Sequence, residues 1–368
     1  MSVIKTITKD RVLQITTILM VISLFFARPH LADISFSTLW SILGMMTVIQ
    51  IFQYLHILDF CAYRLTSRAN DTRQLTWMFL ALAVVAGMFL TNDVTVLTLI
   101  PLYLSIATKY DLPEVLPVTL IGMAANFGSA FTPFGNTHNI FMMNHYAVPT
   151  STFFSWSIPL LIASLALLFL LSLLVKKVPV PTVPVLDIHI MPRPTIITCL
   201  VAGLIFAGVL NMIPAWVGAV TAMMLAFGLE PKIVGNVDYA IVLTFTVFFI
   251  IISAIRQVPQ VSSLISSFMG SEHSVYLTSL VSSQLISNVP TTVLIGKFTT
   301  YAAALFLGSN IGGLGTMVGS MCNLLVYKEY TNWSSKSGKH FIPGFFGFNV
   351  AGLAILGVVG MLILDFVY

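Results

Sequence analysis

Apolar runs of membrane-spanning length recur along the chain, and the polar residues that interrupt them come in matched sets. Continuous apolar stretches occupy 13–27, 36–57, 154–175, 195–210, 213–229, 239–256 and 344–366. A helix needs about 20 residues to cross roughly 30 Å of hydrocarbon, so each stretch predicts a transmembrane helix. The first follows "KTITKDR". No small-residue cleavage site comes after it, so it reads as a retained helix rather than a secretory signal. Two other regions, 75–107 and 273–306, hold paired apolar arms around the polar tips "TND" (91–93) and "SNVPTT" (287–292). Each predicts a re-entrant hairpin that enters and returns to the same side. The stretches 115–145 and 308–327 carry interruptions rich in glycine and asparagine, and each predicts one crossing helix broken in its middle.

The interruptions repeat. "NFGSAFTPFGNTHN" (126–139) aligns without a gap to "NIGGLGTMVGSMCN" (310–323), with Asn126/Asn310, Gly128/Gly312, Thr132/Thr316, Gly135/Gly319 and Asn139/Asn323 identical. Upstream, Asn92 matches Asn288, and "ADISFSTLW" (32–40) corresponds in position to "NVDYAIVLT" (236–244). The expected fold is an all-α polytopic membrane protein made of two inverted repeats, each with a re-entrant hairpin and a broken transmembrane helix. It forms a single membrane domain over 1–368, divided into a first repeat (1–176), a linker and connecting helix (177–212) and a second repeat (213–368). One repeat makes four crossings, and the connecting helix reverses the sense of the next, giving nine in all.

Composition agrees: 57% of the 368 residues are hydrophobic and 8% charged, against about 25% charged in soluble domains. Of 17 lysines and arginines, fourteen fall on the side of the N-terminus, Lys5, Lys9, Arg68, Lys336 and Lys339 among them; Arg28 and Arg256 fall on the other, and Lys297 on a hairpin arm. This bias places the N-terminus in the cytoplasm and the C-terminus outside. The net charge of +4 is spread over short loops and is no nucleic-acid signature. Cys61, Cys199 and Cys322 form no CxxC pair, which argues against a zinc site or disulfide framework and assigns all three to packing. The chain has no HExxH or GxSxG, so an enzyme is not expected.

Irregular backbone cannot face lipid, because each unpaired amide or carbonyl costs several kcal/mol there. Four irregular stretches in two matched pairs are best placed around one cavity near the bilayer midplane. Half-helix N-termini attract anions, while carbonyls with asparagine and threonine oxygens suit sodium. The expected substrate- and ion-binding set is Thr91, Asn92, Asp93, Asn126, Gly128, Thr132, Pro133, Gly135, Asn136 and Asn139 in the first half. In the second it is Ser287, Asn288, Pro290, Thr291, Asn310, Gly312, Gly315, Thr316, Gly319 and Asn323. Glycines here let the chain unwind and approach a ligand, and Pro133 and Pro290 disfavour continued helix. Asp93 reads as a sodium ligand or proton acceptor, or as the N-cap of the second arm; sodium is expected at Asn92, Asp93 and Asn288. His138 reads as a hydrogen-bonded packing residue and Lys297 as snorkelling to the interface. The glycine pairs 308/312 and 315/319 read as sites of unwinding before sites of helix packing.

"FLTNDVTVLTLIPL", "NFGSAFTPFGNTHNI", "ISNVPTTVLI" and "NIGGLGTMVGSMCNLL" resemble the citrate-transporter-like branch of the ion transporter superfamily. That branch includes arsenite-pump membrane subunits, NhaD-type antiporters, divalent anion–sodium symporters and short inner-membrane permeases of the YbiR type. The resemblance covers nearly the whole chain. It implies a transport domain moving against a scaffold that in many members dimerises, hence a homodimer, membrane lipid and a small anionic substrate as partners. It implies no cofactor beyond a coupling sodium ion or proton. In the symporters, Ser-Asn-Thr at both tips binds sodium and carboxylates. Here the tips read Thr91-Asn92-Asp93 and Ser287-Asn288-Val289, a departure that leaves dicarboxylates, citrate-like acids and inorganic oxyanions all open. The expected function is anion transport coupled to sodium or protons. The alternatives are a sodium/proton antiporter and the membrane subunit of an arsenite-type efflux system with a cytosolic ATPase.

Overall fold

The computed structural model describes residues 7–8, 10–66, 69–180, 190–334 and 338–367. Lys5, Lys9, Arg68, Lys336 and His189 lie outside the described residues. Among those described, the only β pairing is an isolated bridge between Asp71 and Pro179; the rest of the regular structure is helical.

The helices begin where side chains can accept from free backbone amides. Asp10 caps α1 (Arg11–Leu24) and Ser35 caps α2 (Phe36–Tyr54). A short helix, α3 (Ile57–Thr66), precedes the first hairpin. Asp71 caps its outgoing arm, α4 (Thr72–Leu90), accepting from the Gln74 amide at 2.9 Å. The returning arm is α5 (Asn92–Lys109). The first broken helix is α6 (Val115–Phe131) and α7 (Thr137–Tyr146), followed by α8 (Thr150–Ser172). After α9 (Pro192–Val209) the order recurs: α10 (Ala215–Leu229), the short α11 (Pro231–Asn236), α12 (Tyr239–Arg256, capped by Asp238) and the short α13 (Pro259–Ser267). The second hairpin is α14 (Glu272–Ile286) with α15 (Asn288–Gly296), the second broken helix α16 (Ala302–Ile311) with α17 (Met321–Trp333), and α18 (Gly338–Val367) closes the chain. Satisfying otherwise orphaned amides in this way contributes about 1 kcal/mol per cap.

Packing exchanges partners between the halves. Helix α1 packs on α12 and α10 on α2; α5 packs on α17 and α15 on α7. Within each half the outgoing hairpin arm lies on the first piece of the broken helix, α4 on α6 and α14 on α16.

Among the described residues, six helices are long and apolar enough to cross a membrane: Phe36–Tyr54, Thr72–Leu90, Thr150–Ser172, Pro192–Val209, Tyr239–Arg256 and Phe341–Phe366. Their outer faces carry exposed apolar side chains, such as Leu200 on α9 and Val358 on α18, as lipid contact requires. The polar residues Asn126, His138, Asn139, Asn310 and Asn323 are buried inside instead.

Three expectations change. The second hairpin returns only to Gly296, not to 306, because Thr299 Oγ1 accepts from the Tyr301 amide (3.2 Å) and turns the chain before a new helix begins at Ala302. The second broken helix therefore spans 302–333 rather than 308–327. Cys61 and Cys199 are exposed, so only the buried Cys322 has a packing role.

Candidate functional site

Each hairpin turns on a single residue. Thr91 (φ 68°, ψ 157°) joins α4 to α5, and Ser287 (φ 75°, ψ 154°) joins α14 to α15. This region of backbone space is normally left to glycine and costs about 1–3 kcal/mol per residue. Both halves adopt it at the same place, which puts Asn92 and Asn288 at the first position of a helix.

Both tips meet the breaks. Asn92 Nδ2 donates to Asn126 Oδ1 at 2.8 Å. The Asn288 backbone amide donates to the Gly319 carbonyl at 3.0 Å. Next to Gly319, Ser320 Oγ donates to the same Asn126 Oδ1 at 3.3 Å. The second break thus bonds directly to the second tip and, through Asn126, is linked to the first.

The breaks themselves are tied together by paired amide bonds. Asn126 Nδ2 donates to Asn323 Oδ1, and Asn310 Nδ2 to Asn139 Oδ1, both at 3.2 Å. Asn136 caps α7, accepting from the Asn139 amide (2.8 Å), and its Nδ2 donates to Asn310 Oδ1 at 3.2 Å. Ser320, its counterpart, caps α17 through the Cys322 amide at 3.3 Å. Asn139 Nδ2 reaches the Thr132 carbonyl at 3.1 Å, and Asn323 Nδ2 the Thr316 carbonyl at 2.9 Å. These side chains satisfy the carbonyls that an interrupted helix leaves open. Thr132 Oγ1 donates to the Met88 carbonyl (2.6 Å) and Thr316 Oγ1 to that of Gln284 (3.3 Å), anchoring each break to its hairpin.

Three atoms in this region remain unpaired. Asp93 Oδ1, Thr291 Oγ1 and His138 Nδ1 are buried without a hydrogen-bond partner. Asp93 is not the cap of α5: Thr91 holds that position without a side-chain bond, and Asp93 is the second helical residue, its amide donating to Asn92 Oδ1 at 3.0 Å. Its Oδ1 has no partner among the described residues.

Several glycines act differently from the expectation of unwinding. Gly128 lies inside α6, where a Cβ would collide with the Val84 carbonyl oxygen on α4. A Cβ at Gly308 would come within 2.5 Å of the Tyr276 carbonyl, and one at Gly312 within 2.7 Å of Ser283 Cβ. These three let helices approach closely. Gly135, Gly315 (φ +89°) and Gly319 do belong to the breaks. Pro133 lies in the first break, whereas Pro290 is the third residue of α15, where a missing amide hydrogen costs no helical bond. The Asn288 side-chain amide faces Gly313, where a Cβ would come within 3.1 Å of Nδ2, while Asn310 Oδ1 is taken by Asn136 Nδ2 and by His138 Nε2 (3.1 Å).

Five participants escaped the sequence reading of the site: Ser129, His138, Gln284, Ser320 and Cys322. Gln284 holds the second break open, donating to the Gly312 carbonyl (2.6 Å) and accepting from the Thr316 amide (2.9 Å). The alignment of the two interruptions contained a signal for three of them, since the offset pairing Asn126 with Asn310 also pairs Asn136 with Ser320 and His138 with Cys322. Lys297 caps the end of α15 and lies 5.9 Å from the Phe249 ring centre. Beside the first hairpin a cavity of about 530 Å³ is bounded by α2, α3, α5 and α17.

Apolar crossing helices around a buried polar network define the class as an all-α polytopic membrane transporter. A profile of the citrate transporter family matches residues 6–304. The chain belongs to that family. It is 26% identical to the inner membrane protein YbiR of Escherichia coli over 333 residues, covering 88% of this chain and 89% of YbiR. It is 28% identical to the uncharacterized transporter MJ0456 of Methanocaldococcus jannaschii over 317 residues, covering 84% and 85%. The crystal structure of the Alcanivorax borkumensis YdaH transporter, which has an unusual topology, superposes with a TM-score of 0.62 at 13% identity, over 90% of this chain and 86% of that one. At that identity the likeness speaks for the fold alone.

Proposed function

We propose that the protein is a secondary active transporter of a small anion, a dicarboxylate or citrate-like acid or an inorganic oxyanion, coupled to sodium or protons. The observation that carries this reading is the meeting of four helix N-termini, those of α5, α7, α15 and α17, in one hydrogen-bonded network. Each N-terminus carries about half a positive charge, the arrangement that favours an anion. Sodium or a proton would be held at Asn92, Asp93 and Asn288, with Asp93 Oδ1 the open acceptor.

In this reading the two halves are inverted repeats, the hairpins are re-entrant, and nine crossings leave the N-terminus in the cytoplasm and the C-terminus outside. The exchange of helix partners between halves supports a two-fold relation. A homodimer through the scaffold helices belongs to the same proposal. The rival reading, a sodium/proton antiporter, draws on one specific observation: the unpaired Asp93 carboxylate suits a transported cation as well as a coupling one. Proteoliposomes with imposed sodium or pH gradients separate the two. Citrate, succinate, phosphate and arsenite are offered as tracers. Saturable, gradient-driven uptake of one of them supports the anion reading. Sodium-dependent proton exit with no anion taken up supports the antiporter.

A further inference from the structure

The cavity beside the first hairpin has a chemistry unlike the asparagine network. Most of its wall is carbon, with Phe52 of α2, Leu97 and Pro101 of α5 and Trp333 of α17 among its lining residues. One buried carboxylate faces this wall. Glu329 is only 8% exposed, lines the cavity, and has no hydrogen-bond or ion-pair partner among the described residues. The other lining acid, Asp59, is already engaged, its Oδ2 lying 2.9 Å from His56 Nδ1. Leu90 and Val94, on either side of the hairpin tip, complete part of the wall.

A ligand filling the cavity displaces water from this carboxylate, which then needs a countercharge or a proton. The volume, about 530 Å³, lies within the range of small-molecule sites, roughly 300–1,000 Å³. It far exceeds an inorganic ion, so the ligand that fills it carries an apolar body as well as a charge. Phe52 and Trp333 add aromatic surface, whose ring faces attract a cation. An anion is excluded by Glu329, and a neutral apolar molecule would leave that carboxylate uncompensated.

We propose that this cavity is a second ligand site, distinct from the transport network, that binds a small amphiphilic organic cation: a primary or quaternary ammonium on an aromatic or branched apolar body. The ammonium pairs with Glu329 and the body packs between α5 and Trp333. A ligand seated there touches the first hairpin next to its tip.

The test is equilibrium dialysis of the full chain in lipid nanodiscs at pH 7, with empty nanodiscs subtracted, using three probes of one shape. These are 4-phenylbutylamine, 4-phenylbutanol and 4-phenylbutyrate. The expected result is saturable binding of the amine at one site per chain, at least tenfold tighter than the alcohol, with the acid weakest. Glu329→Gln is expected to erase the preference for amine over alcohol, and Trp333→Ala to weaken the amine several-fold. Equal binding of amine and alcohol by the unaltered protein, or absence of saturable amine binding, would overturn the proposal without any variant. An undiminished amine preference in folded Glu329→Gln would also overturn it.

Discussion

Asn126 is the residue through which most of the network passes. Its carbonyl oxygen accepts from Asn92 and Ser320, and its amide donates to Asn323. Replacing it with alanine strands Asn92 Nδ2 and Asn323 Oδ1, and each buried polar group left without a partner costs about 1–3 kcal/mol. Hydrogen bonds inside membrane proteins couple by about 0.6 kcal/mol on average, up to about 1.7. A double-mutant cycle of Asn92→Ala and Asn126→Ala, read by denaturant titration in detergent, should therefore give a favourable coupling of about 0.5–2 kcal/mol. Additive effects would mean that the two side chains do not meet. Asp93 makes the opposite prediction. Its open Oδ1 supports no neighbour, so Asp93→Asn should leave the melting temperature unchanged or higher while altering the dependence of transport on sodium or pH. A large loss of stability with unchanged ion dependence would return Asp93 to a structural role. Asn126 and Asn139 were legible in the sequence because they recur in the second half at one offset, as Asn310 and Asn323, and Asn92 because Asn288 stands at the other tip. Their partners were not, since Asn126 with Asn323 and Asn310 with Asn139 are contacts between halves that no spacing announces.

The elements depend on two local devices, strained tips and close glycine contacts. Glycine in place of another residue usually destabilises by roughly 0.5–1 kcal/mol relative to alanine. At Thr91 and Ser287 the positive φ reverses that order. Thr91→Gly and Ser287→Gly should each melt above the corresponding alanine variant; alanine melting higher would show the tips to be unstrained. Gly128, inside α6, and Gly312, at the end of α16, behave in the opposite way. Gly128→Ala and Gly312→Ala force apart helices already in contact, an overpacking cost of about 1–3 kcal/mol. Gly228→Ala, on α10 with nothing within 4 Å of the added carbon, should be neutral or slightly stabilising. Equal effects at all three positions would contradict the packing assignment. Five of the seven apolar spans, both tips and both breaks could be read along the chain, because lipid imposes long apolar runs and tolerates polar backbone only at special places; α1 and α10, of 14 and 15 residues, fall short of crossing length, while α4, expected as a hairpin arm, reaches it. The end of α15 could not be read. Phe298 and Tyr301 continue the apolar pattern straight through the turn that Thr299 makes. Nor could sequence tell a packing glycine from an unwinding one, since Gly128 and Gly135 sit in the same motif and do different work.

At the scale of the molecule, each half supplies what the other lacks. The first tip bonds to Asn126, whose side chain is held by the second half, and the second break bonds to the second tip and to Asn126. Transport by this arrangement requires both halves to form one site, so disabling either should abolish it. The direct measurement is gradient-driven tracer uptake in proteoliposomes by Asn92→Ala and Asn310→Ala, one change in each half, with reconstitution levels matched. Loss of at least 90% of uptake in both variants is the expected result, and full uptake in either would contradict a single site shared between the halves.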